Sequence, residues 1–236
     1  MADNQAYYDT FSETYDRGRD QGYHRFLDEA EVSVASPWLG DVDVLEVGCG
    51  TGLILERLGR RARSAVGVDL SPGMLERARA RGLEVHQSDA SSLPFDDESF
   101  DLVVSFKVLA HVEDIGGALR EIHRVLRPGG HAVLEFYNRR SLRTLVKGLT
   151  GPRAIGETLD EGDVYLRYDT RDEVLETLPE GLSLVRWDGI RILSPVALPF
   201  DLPAIGPLWC GLERAAMKTP LSRFGGFLLA TLERSA

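Results

Sequence analysis

The chain has 236 residues, 43% hydrophobic and 27% charged, which is the expected size and composition of one α/β domain with a modest extra segment. Its formal net charge of −10 argues against DNA or RNA as a partner, because a phosphate backbone is bound by a basic face. The first 20 residues lack the apolar core of a signal peptide, and the two cysteines, Cys49 and Cys210, lie far apart. We therefore expect no disulfide and a cytoplasmic location.

The first predicted element is helical and covers Asn4–Ala35, where tyrosine and phenylalanine side chains cluster. From there to Tyr137, short apolar runs alternate with helix-period segments. These runs are Val42–Val47, Ala65–Asp69, Leu83–Gln87, Phe100–Phe106 and His131–Tyr137. Most are continuously apolar, which is typical of strands covered on both faces, and their alternation with helices predicts a parallel, doubly wound sheet.

The clearest helix carries its apolar residues on one stripe between Ile115 and Leu126. We predict that it stops at the proline and glycines of residues 127–130. Two shorter helical segments follow the fifth strand. The first, Arg139–Leu149, is basic and amphipathic, and the second, Thr170–Leu178, begins with a threonine cap.

Two further strand-like runs, Leu182–Leu193 and Phe224–Glu233, close the pattern, and a proline-rich segment separates them. The stretch 193–212 is the most weakly charged part of the chain, but it contains four prolines. Because prolines at that density interrupt a regular spanning helix, we expect no integral membrane segment.

A glycine-rich loop follows the first predicted strand, in the run Val-Leu-Glu-Val-Gly-Cys-Gly-Thr-Gly. Its glycines, Gly48, Gly50 and Gly52, lack a Cβ, so the backbone can turn tightly and a ligand can lie against it. A dinucleotide fingerprint would place its third glycine at Leu53. Glu46, just before the loop, would repel a pyrophosphate but suits S-adenosylmethionine (SAM), which carries an ammonium and a sulfonium and no phosphate.

An acidic residue, Asp69, ends the second strand about 20 positions after the glycines, where a carboxylate can bind both ribose hydroxyls of a nucleoside. This spacing alone does not separate SAM from NAD. The alternative is that Asp69 caps the helix that begins at Ser71. Serine followed by proline is itself a good N-cap, so we favour ribose binding for Asp69.

With these residues placed, the chain resembles the class I SAM-dependent methyltransferases. Within them it is most similar to the small-molecule subgroup of ubiquinone/menaquinone C-methyltransferases and many natural-product enzymes. The matching segments are Val44–Gly52, Val66–Leu75, Ser88–Val104 and Leu119–Phe136, in the family's order and spacing. The resemblance implies the Rossmann-like SAM methyltransferase fold, a doubly wound, mostly parallel seven-stranded sheet, with SAM as cofactor.

The same resemblance implies a single domain over residues 1–236. Its expected parts are an N-terminal helical lid (1–40), a SAM-binding core (41–137), and substrate-side segments at 138–181 and 194–220, the last a C-terminal cap. Residues 7–15 correspond to a helix that folds over the cofactor in many relatives, with Tyr8 expected to face the substrate. The alternative is that the aromatic side chains of this stretch pack in the core.

Individual cofactor contacts are also implied by the resemblance. The residues so predicted are Tyr15, Glu46, Gly48, Cys49, Gly50, Gly52, Asp69, Leu70, Asp89, Ala90, Ser105 and Phe106. Asp89 corresponds to the acid that contacts the adenine in the family, with Ala90 beside it and Leu70 lining the ring. The alternative for Asp89 is a loop-capping role.

Methyl transfer from a sulfonium is an in-line displacement, so an enzyme must mainly align the acceptor with the methyl group and exclude water. A base is needed only when the acceptor is protonated. His111, just past the end of strand four, is our candidate, because ligands of open parallel sheets bind at this edge and histidine titrates near neutrality. The alternative is that His111 only packs or hydrogen-bonds there. No pair of histidines has metal-ligand spacing, and we expect no metal.

The substrate side is expected to follow the fifth strand. Arg139 and Arg143 share one face of the basic segment, and we predict that they meet an anionic group of the substrate, such as a carboxylate or phosphate. The alternative is a solvated helix face. The insertion Pro195–Pro220 would line an apolar acceptor pocket, fill the core or form the face of a homodimer.

The predicted function is therefore transfer of the SAM methyl group to a small-molecule acceptor, giving S-adenosylhomocysteine. An NAD(P)-dependent oxidoreductase is opposed by Glu46, by the missing third glycine and by the lack of a distinct second catalytic domain. A SAM-fold protein that binds without turnover is the non-enzymatic alternative, because a fold does not fix a function. Protein and nucleic-acid acceptors are disfavoured by the acidic chain, and residues 105–108 differ from the Asn-Pro-Pro-Tyr-type tetrapeptide of such enzymes.

Overall fold

The computed structural model describes residues 4–150, 154–155, 159–160 and 165–235. The helices are α1 (Asn4–Tyr15), α2 (Gly22–Ala35), α3 (Leu53–Gly59), α4 (Pro72–Ala80), α5 (Ile115–Val125), α6 (Leu142–Thr150), α7 (Arg171–Thr177), α8 (Leu198–Asp201) and α9 (Gly206–Met217). The strands are β1 (Asp43–Val47), β2 (Ser64–Asp69), β3 (Glu84–Gln87), β4 (Phe100–Ser105), β5 (Leu126–Tyr137), β6 (Ala154–Ile155), β7 (Leu159–Asp160), β8 (Leu182–Ile190) and β9 (Phe227–Arg234).

Seven of these strands form one sheet in the order β3-β2-β1-β4-β5-β9-β8, and β6 pairs with β7 separately. The pairs from β3 to β5 are parallel, whereas β9 runs antiparallel to both of its neighbours. The predicted doubly wound, mostly parallel seven-stranded sheet is confirmed. The chain reverses its direction of travel across the sheet between β1 and β4, and open α/β sheets bind ligands at the carboxyl ends of the strands at such a point.

Helices cover both faces of the sheet, which explains why its central strands are continuously apolar. In β4, Val103 belongs to the core cluster that α5 completes, whereas Leu102 and Val104 belong to the cluster on the side of α2. Leu119 and Ile122 of α5 are fully buried. Each such side chain contributes about 1.5–3 kcal/mol by its removal from water, so the two-sided core fixes β1 and β4 at the centre of the sheet.

Capping residues set the starts of two helices as predicted. The Ser71 hydroxyl accepts a hydrogen bond from the Met74 N–H at 3.2 Å, and Pro72 occupies the first position of α4. Thr170 forms a capping box with Glu173 at the start of α7. Both devices satisfy backbone N–H groups that have no partner within the helix.

Several boundaries differ from the sequence prediction by about three residues, such as the start of β9 at Phe227 rather than Phe224, and two differ by more. The N-terminal helical segment is broken between Tyr15 and Gly22, and the chain turns there before α2 begins. The other difference concerns β5, which begins directly after α5 because Leu126 already pairs with Phe100. Residues 127–130, where the helix was predicted to stop, therefore lie within β5. The pairing register between β4 and β5 shifts there, because Pro128 has no N–H to donate to the neighbouring strand.

The proline-rich insertion is largely helical rather than irregular. Pro199 and Pro207 lie in the first turns of α8 and α9, where a missing N–H removes no helical hydrogen bond. Within the described ranges, every helix falls short of the length and apolar character that crossing a bilayer requires.

Candidate active site

A cavity of about 480 Å³ lies at the carboxyl ends of β1, β2 and β4. Most of the residues predicted for cofactor, substrate and catalysis line it. They are Tyr8, Tyr15, Gly48, Gly50, Asp69, Leu70, Asp89, Ala90, Phe106 and His111. The sheet topology thus brings together residues that are separated by up to about 100 positions in the sequence, as expected for the ligand edge of an open sheet.

The glycine loop turns back over the end of β2. The N–H groups of Gly48 and Cys49 both donate to the carbonyl of Val68, at 2.7 and 2.9 Å. Gly48 has a φ of 76°, and a Cβ on it would lie 2.1 Å from a methyl group of Val108. Only glycine fits this position, and the bare backbone forms one wall of the cavity.

Asp69 is held in place by two backbone donors. Its Oδ1 accepts from the Ser71 N–H at 2.9 Å and its Oδ2 from the Gly50 N–H at 2.8 Å. Burial raises the pKa of the Asp69 carboxyl, and the two backbone hydrogen bonds oppose that rise. The cap of α4 is Ser71 and not Asp69. The Asp69 carboxylate instead braces the loop and also lines the cavity, and its binding of ribose stays a prediction.

Asp89 has the same double character. Its Oδ1 accepts from the Ser91 N–H at 2.8 Å and from the Ser91 hydroxyl at 2.6 Å, so it does cap its own loop. The residue also lines the cavity. Loop capping therefore fixes the direction of a carboxylate at the cavity wall.

Helix α1 lies across the cavity, and two aspartates hold it there. Asp9 accepts from the Ser71 hydroxyl at 2.5 Å and from the Gly73 N–H at 3.1 Å, at the start of α4. Asp16, just after α1, accepts from the Thr51 hydroxyl at 2.6 Å and from Arg81 at 2.7 Å. These contacts explain how the Tyr8 and Tyr15 side chains come to line the cavity.

His111 lies in an aromatic setting on the opposite side of the glycine loop from β2. Its ring packs edge to face with Tyr8 and Tyr137, at centroid distances of 5.9 and 5.8 Å. Its Nδ1 is 3.0 Å from the carbonyl oxygen of Tyr165, so this nitrogen carries the proton in the neutral ring, and Nε2 carries the lone pair. Burial lowers the pKa of His111, which keeps the ring neutral at pH 7.

Lys107, which the sequence reading overlooked, follows β4 with a φ of 61°. Its main-chain position puts it on the cavity wall, while its Nζ points to α2 and lies 3.2 Å from Asp28 Oδ1 and 2.9 Å from Glu31 Oε2. Burial alone would lower the pKa of Lys107, but Glu31 and Asp28 outweigh it and raise the pKa. The ammonium is therefore paired behind the cavity.

Glu46 belongs to this buried group rather than to the cavity wall. It is 3% exposed, and its Oε2 has no hydrogen-bond partner among the described residues. Burial raises the pKa of Glu46 well above its ordinary value, and Glu31 raises it further. Burial and the nearby Glu31 likewise raise the pKa of Glu135, near the end of β5.

Five more predicted residues lie away from the cavity wall. Cys49 packs toward the core against Gly67, Gly52 ends the loop as the N-cap of α3, and the Ser105 hydroxyl donates to the Val47 carbonyl at 2.9 Å. Arg139 pairs with Glu173 at 2.6 Å, and Arg143 lies 5.7 Å from the ring of Tyr137. Their assigned contacts with cofactor or substrate stay predictions.

Other residues line the cavity that the sequence reading did not single out. They are Val47, Val68, Met74, Ser88, Ser91, Lys107, Val108, Val112, Glu113 and Asp114. All of them lie close in sequence to a predicted residue. The only sequence signal that could have identified them is that they neighbour a predicted residue, because a loop that turns over a cavity presents several consecutive residues to it.

Comparison with known proteins bears on what this cavity holds. Residues 45–134 match a family model described as a methyltransferase domain. The chain is 33% identical over 148 residues to a 2-phytyl-1,4-naphtoquinone methyltransferase of Nostoc punctiforme, a match that covers 56% of this chain and 64% of that protein. It is 41% identical over 128 residues to a ubiquinone/menaquinone biosynthesis C-methyltransferase of Xanthomonas oryzae pv. oryzae, covering 49% of this chain and 50% of that protein.

These matches span about half to two thirds of the length of the curated relatives. A crystal structure of a SAM-dependent methyltransferase from Thermotoga maritima is similar in fold over nearly the whole chain. Its TM-score is 0.69 at 20% identity, and the likeness covers 98% of this chain and 99% of that one. The similarity of residues 45–134 to methyltransferase domains, together with the shared fold, supports membership of the class I SAM-dependent methyltransferases, with SAM as cofactor.

The charges on the cavity wall fit SAM better than a dinucleotide. Four acidic residues line it, Asp69, Asp89, Glu113 and Asp114. Apart from His111, the only basic residue on the described wall is Lys107. Its ammonium is paired with acids behind the wall. An acidic cavity repels a pyrophosphate and favours a sulfonium. The carboxylates that disfavour a pyrophosphate are therefore those of the wall, and not the buried Glu46 for which this effect was predicted.

Proposed function

We propose that this methyltransferase transfers the methyl group of SAM to a small, largely apolar aromatic acceptor that carries an acidic hydroxyl or ring carbon. The observation that carries the proposal is the presence, in one cavity, of the braced Asp69 carboxylate and the His111 imidazole. Asp69 accounts for cofactor binding, and His111 accounts for proton removal from the acceptor. When bound, SAM supplies a methyl group on a sulfonium sulfur, which is an excellent leaving group.

On the cofactor side, the residues divide the work by chemistry. The Asp69 carboxylate has acceptor capacity beyond its two backbone bonds, so it suits the ribose hydroxyls. Asp89, oriented by its own loop, suits the amino group of the adenine. The bare backbone of Gly48 and Gly50 lets the methionine part approach closely.

On the acceptor side, His111 is placed to act as a general base. Its Nδ1–H donates to the Tyr165 carbonyl, which leaves the basic lone pair on Nε2. A hydroxyl whose proton moves to Nε2 becomes a stronger nucleophile as the methyl group is transferred. Tyr8 and Phe106, which also line the cavity, provide apolar surface for an aromatic ring and exclude water from it.

The acceptor class is supported by two independent features. The cavity wall presents aromatic side chains around the proposed base, and the two curated relatives are named for quinone substrates. We infer a phenol or a hydroquinone as the acceptor group. Arg143, which has no ion pair among the described residues and lies beside Tyr137, is a candidate for an anionic substituent on the same molecule.

The experiment has a binding arm and a turnover arm. In the first, SAM, S-adenosylhomocysteine and NADH are titrated calorimetrically into the protein, and we expect the two sulfur compounds to bind and NADH not to bind. In the second, release of S-adenosylhomocysteine is measured with a panel of phenols, hydroquinones and aliphatic amines. Binding without turnover on any acceptor would instead support a SAM-binding protein, and binding of NADH alone would support an oxidoreductase.

A further inference from the structure

Exposed apolar side chains are concentrated on one part of the molecule. Of the 13 large apolar side chains that are exposed in the described part of the chain, eight lie in residues 138–150 and 202–224. They are Leu142, Leu145, Leu202, Ile205, Leu208, Leu212, Leu221 and Phe224. These two segments hold only 36 of the 236 residues. Leu145 and Leu208 are 64% and 67% exposed, which is unusual for leucines without a function at the surface.

The same segments have a charge opposite to the rest of the chain. They contain seven basic residues, Arg139, Arg140, Arg143, Lys147, Arg214, Lys218 and Arg223, and one acidic residue, Glu213. Glu213 is fully buried and accepts three backbone N–H groups of residues 192–194. The two segments therefore carry a formal charge of +6, whereas the remaining 200 residues carry −16 of the total charge of −10. Arg139 and Arg214 are each paired with an acid outside the segments, Glu173 and Glu29, which leaves +4.

The two segments meet at the turn Pro220–Phe224. The Asn138 side chain, just before α6, donates to the carbonyls of Arg223 and Gly225 at 3.0 and 2.8 Å. Phe224 lines a surface groove of about 490 Å³ together with Leu142 and Leu145 of α6. On its other side, the turn packs against α9. We call the exposed side chains of residues 138–146 and 202–224, which adjoin at this turn, the basic apolar face.

We propose that the basic apolar face docks the protein on the surface of a membrane that contains anionic lipids. Apolar side chains on one face enter the boundary between headgroups and acyl chains, and the surrounding cations neutralise lipid headgroups. The charge balance selects this occupant. A second copy that docked through the same face would set like charges against each other, and a nucleic acid would pair the cations but leave eight apolar side chains in water.

The test is cosedimentation of the full chain with vesicles. The vesicles contain either phosphatidylcholine alone or phosphatidylcholine with phosphatidylglycerol. Each is tested at about 0.1 M and about 0.5 M salt, because the higher concentration screens the attraction between the protein's cations and the lipid headgroups more strongly. The expected result is binding to the anionic vesicles only, and weaker binding at high salt. Loss of one exposed cation is expected to weaken the partition about fivefold.

Matched variants separate the two parts of the face. Leu145→Gln with Leu208→Gln removes apolar contacts, and Leu175→Gln, exposed on α7, is its control. Arg140→Gln with Lys218→Gln removes charge, and Arg61→Gln is its control. Both face variants are expected to lose vesicle binding, whereas the controls keep it. Calorimetric binding of SAM serves as the test of folding for all of them.

Three outcomes would overturn the proposal. One is equal binding to neutral and anionic vesicles. Another is the absence of vesicle binding together with a dimer in sedimentation equilibrium that Leu208→Gln dissociates, which would assign the face to a second copy. The third is binding of a duplex RNA probe that the Arg140→Gln and Lys218→Gln pair abolishes while vesicles remain unbound. None of these results depends on methyl transfer, so they leave the proposed function unaffected.

Discussion

The Oδ2 atom of Asp69 lies 2.8 Å from the backbone nitrogen of Gly50, so the end of β2 is tied directly to the glycine loop that follows β1. The carboxylate is thus oriented before any ligand arrives. Ligand binding therefore costs little conformational entropy at the Asp69 side chain. The same bond means that Asp69 shapes the loop as well as the ribose site.

Replacing Asp69 should therefore weaken SAM binding more than the loss of one contact would suggest. Asp69→Ala removes a charged acceptor, which is worth about 2 kcal/mol or roughly 30-fold in Kd, and the loss of the brace on the glycine loop adds to this effect. Calorimetric titration with SAM measures the effect. Asp96→Ala, an exposed aspartate outside the cavity, is the control and should bind as the parent does. An unchanged Kd in Asp69→Ala would remove the ribose assignment.

Release of the N-terminal helix is the second prediction. Asp16→Ala removes the acceptor that Thr51 and Arg81 share, so α1 should detach from the glycine loop more often. We expect faster amide exchange in residues 4–15 and an affinity for SAM that falls about tenfold, the scale of one charged hydrogen bond. Hydrogen exchange with mass spectrometry reads the first effect. Asp20→Ala, an exposed neighbour, should leave both quantities as they are.

Removal of the buried cation should destabilise the fold. Lys107→Met leaves Glu31 without its ion-pair partner and leaves Asp28 with only the longer contacts to Arg19 and Arg57, at 3.7 and 3.8 Å. Breaking a buried pair in this way costs about 3–5 kcal/mol. Denaturant unfolding gives the free energy. Lys218→Met, at an exposed lysine, should change it by less than about 0.5 kcal/mol. Adding Glu31→Gln to Lys107→Met should recover part of the loss, and a further loss would contradict the pairing.

The activity should depend on pH through His111. Burial lowers the pKa of this ring below its ordinary value, and only the neutral ring can accept a proton. The rate should therefore be constant at neutral pH, and it should fall as the pH drops through the lowered pKa. A pH profile of kcat/KM measures this, and His111→Gln should abolish the acid limb together with most of the rate. His86→Gln, exposed on β3, should keep both.

The two arginines predicted for the substrate should behave differently. Arg139 is exposed and paired with Glu173, so Arg139→Ala should change stability by at most about 1 kcal/mol and leave the acceptor KM unchanged. Arg143→Ala should raise KM for an acceptor with a carboxylate or phosphate, but not for its uncharged analogue. If Arg143→Ala keeps the parent's KM for both acceptors, Arg143 does not bind the substrate.

The core of the fold was predictable because its signals are local. Continuously apolar runs marked the central strands, and Ser71 and Thr170 marked two helix starts, because the chemistry of a cap lies within four residues. The edge of the sheet that holds the ligand also followed, because strand ends, glycines and acids sit at fixed spacings. Ten of the sixteen residues predicted for the site accordingly line the cavity.

What the sequence could not give depends on contacts between distant elements. Glu46 lies two residues before the loop, but its side chain points to α2, and nothing in the local pattern says which face of β1 it occupies. Lys107 could not be recognised either, because its partners, Asp28 and Glu31, are more than 70 positions away. Arg139 was placed correctly on a basic segment, but its partner Glu173 comes from another helix.

The position of β9 in the sheet has a consequence for biosynthesis. This strand comes last in chain order, but it lies between β5 and β8, and both depend on it for their backbone pairing on that side. A nascent chain therefore exposes one long edge of β5 on the ribosome until the final strand is made, and unpaired strand edges are templates for association between chains. Translation arrest before Phe227 would thus yield not a shortened enzyme but an open-edged sheet that depends on chaperones to stay unassociated.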